Sequence, residues 1–208
     1  MNHLFMRWTM VLACSVVAAC SSTAEPKQQQ DTAESVKATA NYDIAAWLLE
    51  KEPLLRESIK GSPFTLHQQG ATWVVTAPAQ KTFNPDRPDL LLPAALGPIA
   101  RIAKLMEADK DAAVLILGHT AESKDHRGNQ QLSTARARSV ASIFRLSGLT
   151  AGRMTHLGMG SSHLLAQAKY LEHNHRVEII VMPSVDVQGV MAVYRPAYMR
   201  QLALSQAK

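Results

Sequence analysis

Cysteine is nearly missing from this 208-residue chain, with two residues at positions 14 and 20. Whatever folds beyond residue 20 therefore has no internal disulfide and must be held by its apolar core. Aromatic residues are scarce at 5%, which argues against the stacking platforms that single-stranded nucleic acids require. Charge of one sign is never concentrated. The 22 Lys and Arg are interspersed with 17 Asp and Glu, so the net charge of +5 does not form a polyanion-binding run. There is no Gly-x-Ser-x-Gly nucleophile elbow, no glycine loop to cradle phosphate, and no carboxylate pair set in an apolar pattern. These absences exclude the common hydrolytic and nucleotide-dependent classes. Neither an enzyme nor a cofactor is expected.

The first residues are present for targeting. Arg7 precedes the apolar stretch "WTMVLACSVVAAC", which is too brief to cross a bilayer as a stable helix. Its end, Val17-Ala18-Ala19-Cys20, resembles a bacterial lipoprotein signal, with Cys20 as the lipidated residue and residues 1–19 removed. An ordinary secretory signal or a signal anchor is the alternative, and Cys14 is disfavoured as the acceptor by Leu12 in the small-residue position. In similar lipoproteins an aspartate after the cysteine favours the inner membrane. Ser21 here implies the outer membrane, facing the periplasm. Residues 20–41 are rich in Ser, Thr, Ala and Gln and cannot bury enough apolar surface to fold. They read as a tether with a reach on the order of 25 Å.

From residue 42 the pattern is globular, as expected for one domain with a sizeable core. Ile44, Trp47, Leu48, Leu54 and Leu55 predict helix, split in two by Pro53, in a lead-in over 42–64. "FTLHQQGATWVVTAP" predicts two strands about Gly70. A helix follows through Leu96, Ile99, Ile102, Ala103 and Met106, disturbed early by Pro98. "AAVLILGH" predicts a strand, "LSTARARSVASIFRLSG" a helix capped by Ser133, and "RMTHLGMG" and "RVEIIVM" the last strands. The expected fold is α/β (α+β), a βαβαββ two-layer domain over 65–183 with helices on one mixed sheet.

On the helix after "AAVLILGH", Arg136 lies on the apolar side with Ala137, Val140, Ile143 and Phe144, while Arg138, Ser142 and Arg145 lie opposite. A guanidinium there needs a carboxylate or backbone carbonyls. From spacing alone, it is either a structural arginine satisfied within the protein or the grip on a ligand.

The combination "LILGHTA", "NQQLSTARARSV", "LTAGRMTHLGMGSS" and "NHRVEIIV" resembles the C-terminal peptidoglycan-binding domain of the OmpA family, shared by peptidoglycan-associated lipoproteins and flagellar-motor stators. Phe83 and Leu92-Pro93 match the family's phenylalanine and first-helix entry. The resemblance implies a site for the diaminopimelate of a peptidoglycan stem peptide, with Arg136 on its carboxylate and Thr120, Asn129 and Arg176 at the other family positions. His175 replaces the first arginine of the family's Asn-Arg-Arg-Val-Glu, and Lys124 a loop glycine. Ala121 stands where the family places the aspartate that takes the ammonium. Glu122 or Asp125 is the alternative acid.

His119, His126, His173 and His175 include a His-Asn-His spacing, but no Cys and no acidic third ligand stands at a suitable spacing, and no metal is expected. The tail over 184–208 has apolar residues at Val190, Met191, Tyr194, Tyr198, Met199 and Leu202 and no acid after Asp186. It either packs on its own domain or docks an envelope partner. Two functions remain open: an outer-membrane lipoprotein that binds peptidoglycan, or a docking component of a trans-envelope secretion, pilus or motor assembly with a degenerate wall site.

Overall fold

The computed structural model describes residues 43–165 and 171–207. The signal segment, Cys20 and the tether lie outside the described residues.

The longest apolar runs lie at the centre of the sheet. Strands β3 (Ala112–His119) and β5 (Arg176–Pro183) are buried at every position, as befits strands covered on both faces. The order is β1-β2-β5-β3-β4, with β1 at Thr65–Gln69, β2 at Thr72–Pro78 and β4 at Met154–Gly158. β5 runs antiparallel to both β2 and β3, whereas β3 and β4 are parallel, as a helical crossover requires. β1 is the polar edge "TLHQQ", largely exposed. Gly70 makes the hairpin turn with φ of +57°.

Three helices cover one face of the sheet: α1 (Ile44–Ile59), α3 (Pro93–Ala108) and α4 (His126–Leu146). Their buried residues form the main core with Val75, Val114, Ile116, Val177 and Ile179. A short helix α2 (Ala79–Thr82) leaves β2, and α5 (Leu171–Asn174) precedes β5. The tail forms α6 (Val187–Gln206), whose Val190 and Tyr194 pack on the opposite face against Leu115, Leu117, Ile180 and Met182. The extension thus lies on its own domain and adds a layer to the expected sheet-and-helix arrangement.

Three helix boundaries differ from the sequence reading. α1 runs unbroken through Pro53, which is on the exposed side beside Leu49, 72% exposed. The hydrogen bond that proline removes is lost where water replaces it. α3 likewise continues through Pro98. Ser133 is not a cap: α4 begins seven residues earlier, where Asp125 accepts from the Gly128 amide at 2.8 Å. The bare Cα of Gly128 permits this, since a Cβ there would lie 2.1 Å from the Asp125 carboxylate. Ser133 is fully buried in the helix interior and accepts from the Gly160 amide at 3.0 Å.

Candidate functional site

Two glycines decide where α4 sits. Gly118 and Gly158 are register partners on β3 and β4. A Cβ on Gly118 would stand 2.0 Å from the Ser133 carbonyl oxygen, and one on Gly158 would stand 2.1 Å from Thr134 Oγ1. The helix backbone therefore rests directly on the strand ends, and Arg136, one turn on, is held at a fixed height above the sheet.

The Arg136 side chain is 8% exposed. Its Nε donates to the Pro88 carbonyl at 2.8 Å, and its guanidinium carbon lies 5.4 Å from the centre of the Phe83 ring. Nη1 is buried without a hydrogen-bond partner among the described residues. Burial lowers the pKa of the guanidinium, with Asp89 opposing, yet an arginine so placed stays charged. An uncompensated donor on a buried cation is costly.

The facing wall comes from the segment after β2. Asn84 Oδ1 accepts from the amides of Asp86 and Arg87 and folds the loop that presents the Pro88 carbonyl. Together with Ala79, Gln80, Phe83 and His175 it encloses, beside Arg136, a cavity of about 240 Å³. His175 Nδ1 accepts from the Ala121 amide at 3.3 Å. Burial and the nearby Arg136 push the imidazole pKa down, with Glu172 opposing. Only the cluster "NPDRP" hints at this wall in the sequence, and a turn-rich loop does not reveal which helix it faces.

The other expected site residues are distributed around and behind this cavity. Thr120 is fully buried, its amide donating to the Gly160 carbonyl at 2.8 Å and its hydroxyl without a hydrogen-bond partner among the described residues. Asn129 donates to Ser123 Oγ at 2.9 Å and to the Ala121 carbonyl at 3.4 Å, bracing the loop rather than lining the cavity. Glu122 is exposed, and Asp125 is the α4 cap.

Arg176 is on the far face. Side chains alternate along β5, so Arg176 and Glu178 share the side of Ile180 and Met182, under α6 rather than α4. Arg176 is 2% exposed and donates to Glu178 at 2.7 Å, to the His163 carbonyl at 2.9 Å and to the Asn174 carbonyl at 3.4 Å. Its guanidinium is occupied by these partners. His119 Nε2 stands 3.4 Å from Glu178, an ion-pair distance without hydrogen-bond direction. His119 and His175 thus belong to different faces, and no group of three metal-ligating side chains occurs among the described residues.

Burial alone would raise the Glu178 carboxyl, but His119 and Arg176 more than reverse it, from 4.5 to about 2. The folded value lies below the unfolded one, so the contribution is complete above pH ~4.5 and is lost as pH falls toward ~2. The shift corresponds to about 3 kcal/mol. Denaturant titrations at pH 3 and pH 6 should show the natural protein weaker at pH 3, and Glu178→Gln should flatten that difference. An unchanged difference in the variant would assign the acid sensitivity elsewhere.

Comparison with known proteins places this geometry. Residues 82–178 match the OmpA family model. The chain is 29% identical over 136 residues to the probable lipoprotein YiaD of Escherichia coli, covering 64% of this chain and 62% of the relative. It is 36% identical over 96 residues to the outer-membrane lipoprotein YfiB of Pseudomonas aeruginosa, covering 45% and 57%. The chain therefore spans about three fifths of the length of the curated relatives it matches. The solved structure of the cell wall anchor of the T6SS from Pseudomonas aeruginosa superposes with a TM-score of 0.52 at 27% identity, covering 63% of this chain and 95% of that one. The Phe83 wall, the glycine pair under α4 and Arg136 all fall within residues 82–178, the segment that matches the OmpA family model.

Proposed function

We propose that this protein is an outer-membrane lipoprotein that binds peptidoglycan non-covalently and so links two layers of the envelope. The observation that carries the reading is Arg136: a buried, permanently charged side chain that lines a cavity and whose Nη1 has no hydrogen-bond partner among the described residues. A carboxylate of the stem peptide, that of diaminopimelate, is the partner such a donor needs. Phe83 and His175 shape the cavity, Thr120 and Asn129 hold the adjoining loop, and Arg176 braces the neighbouring segment from the far face. Lipidation at Cys20, after removal of residues 1–19, anchors the protein, and residues 20–41 tether the domain over the periplasmic face.

The full-length protein in detergent should co-sediment with purified peptidoglycan, and Cys20→Ala should leave the membrane fraction or persist as a precursor. Absence of the natural protein from the peptidoglycan pellet would overturn wall binding. Normal acylation and fractionation of the Cys20 variant would overturn the anchor.

One observation favours a second reading, in which the domain is a docking component of a secretion, pilus or motor assembly. Ala121 puts a methyl group where the family places an acid, so the wall site lacks part of its expected equipment. Likeness to a T6SS cell wall anchor is compatible with both readings. Failure of peptidoglycan binding with retained membrane anchoring would favour the second.

A further inference from the structure

Every polar group that the Arg136 cavity has left to offer is a donor or is neutral. The Nε of Arg136 is taken by Pro88, and the buried Nη1 has no hydrogen-bond partner among the described residues. His175 receives the Ala121 amide on Nδ1, so its neutral ring carries the proton on Nε2 and is a second donor. Gln80 and Asn84 are uncharged, and Asn84 Oδ1 is already engaged by two backbone amides.

Among the described residues no acid lines this cavity. Asp89 and Glu172 bear on Arg136 and His175 electrostatically, but both are exposed and lie outside the lining. Glu122 is likewise exposed, and Asp125 is occupied as a helix cap. At the loop that touches His175, the side chain is the methyl of Ala121. An ammonium brought in beside the guanidinium would meet like charge with no counter-charge in the lining.

We propose, building on the wall-binding reading above, that the cavity selects its ligand as an anion alone: Arg136 and His175 take the side-chain carboxylate of the stem peptide's diaminopimelate, and the amine beside it adds no affinity. The site thereby accepts stem peptides whose side-chain amine is blocked, as in a cross-linked wall, and rejects those whose carboxylate is amidated.

Titration calorimetry on the full-length protein in detergent, with three probes, tests this. The probes are a stem tripeptide ending in diaminopimelate, the same peptide with its side-chain amine acetylated, and the same peptide with its side-chain carboxylate amidated. Acetylation should change Kd by less than about 3-fold, whereas amidation should weaken it by about 10-fold or more. In Ala121→Asp the amine-bearing peptide should bind about 10-fold tighter, and acetylation should erase that gain. A loss of about 10-fold on acetylation in the natural protein would place an acid, Glu172 being nearest to His175 in effect, on the ammonium and overturn the inference while leaving wall binding intact. Indifference to amidation would overturn it also, and no binding of any probe would overturn the wall-binding reading itself.

Discussion

Replacing Arg136 with alanine should remove peptidoglycan from the protein while leaving the fold in place. Charge-assisted hydrogen bonds contribute about 1.5–3 kcal/mol each, so losing the guanidinium should weaken binding by about 100-fold, which a co-sedimentation assay reads as abolition. The fold should survive because the arginine is not paired with any buried acid. Its internal partners are one carbonyl and the face of Phe83. Losing those contacts is offset in part by relief of a buried, unpartnered donor, and the stability change should stay under about 2 kcal/mol. Arg136→Lys should recover only part of the affinity, since an ammonium is a point charge without the planar fork. Retained binding in Arg136→Ala would remove the arginine from the site. Loss of the circular dichroism signature would instead make it a structural residue.

Gly118→Ala should be among the most destabilising single substitutions in the chain. The new methyl group would stand 2.0 Å from the Ser133 carbonyl oxygen, and 2.8 Å from the Ser133 carbonyl carbon. Both are helix backbone, so no rotamer change makes room and α4 must lift from the sheet. Overpacking of this kind costs about 3 kcal/mol or more. Lifting α4 also displaces Arg136, so binding should fall with stability. Gly158→Ala should behave similarly, because its Cβ would lie 2.6 Å from the Thr134 amide nitrogen. Gly152 is the control: its Cβ would meet nothing within 4 Å, and Gly152→Ala should stay within about 0.5 kcal/mol. Urea denaturation midpoints separate these outcomes, and a Gly118→Ala protein as stable as the Gly152 variant would refute the close helix–sheet contact.

Sequence patterns located the elements better than their ends. β3 and β5 are legible because strands buried on both faces read as near-continuous apolar runs, here Ala112–Leu117 and Ile179–Met182. The apolar stripe Ala137, Val140 and Phe144 was legible because helix period and burial coincide there. The start of α4 was not, since "DHRGN" is polar and contains a glycine. Its helical state depends on a cap whose carboxylate occupies the space left empty at Gly128. Prolines misled in α1 and α3 for the opposite reason, because an isolated lost hydrogen bond is tolerated when the surrounding helix packs well.

Periodicity alone places a helix after β3 with Arg136 on its sheet-facing side, because it is written in consecutive side chains. Residue identity likewise determines that Ala121 supplies no carboxylate. What those residues face depends on long-range packing. Pro88 and Phe83 reach Arg136 across about fifty residues of chain, since the loop after β2 folds over α4. Arg176, which the resemblance puts at a family site position, lies in a buried network with Glu178 on the far face, because strand alternation and the central place of β5 put it under α6. Neither placement is encoded locally: both follow from the register of strands distant in sequence and from which helix covers which face of the sheet.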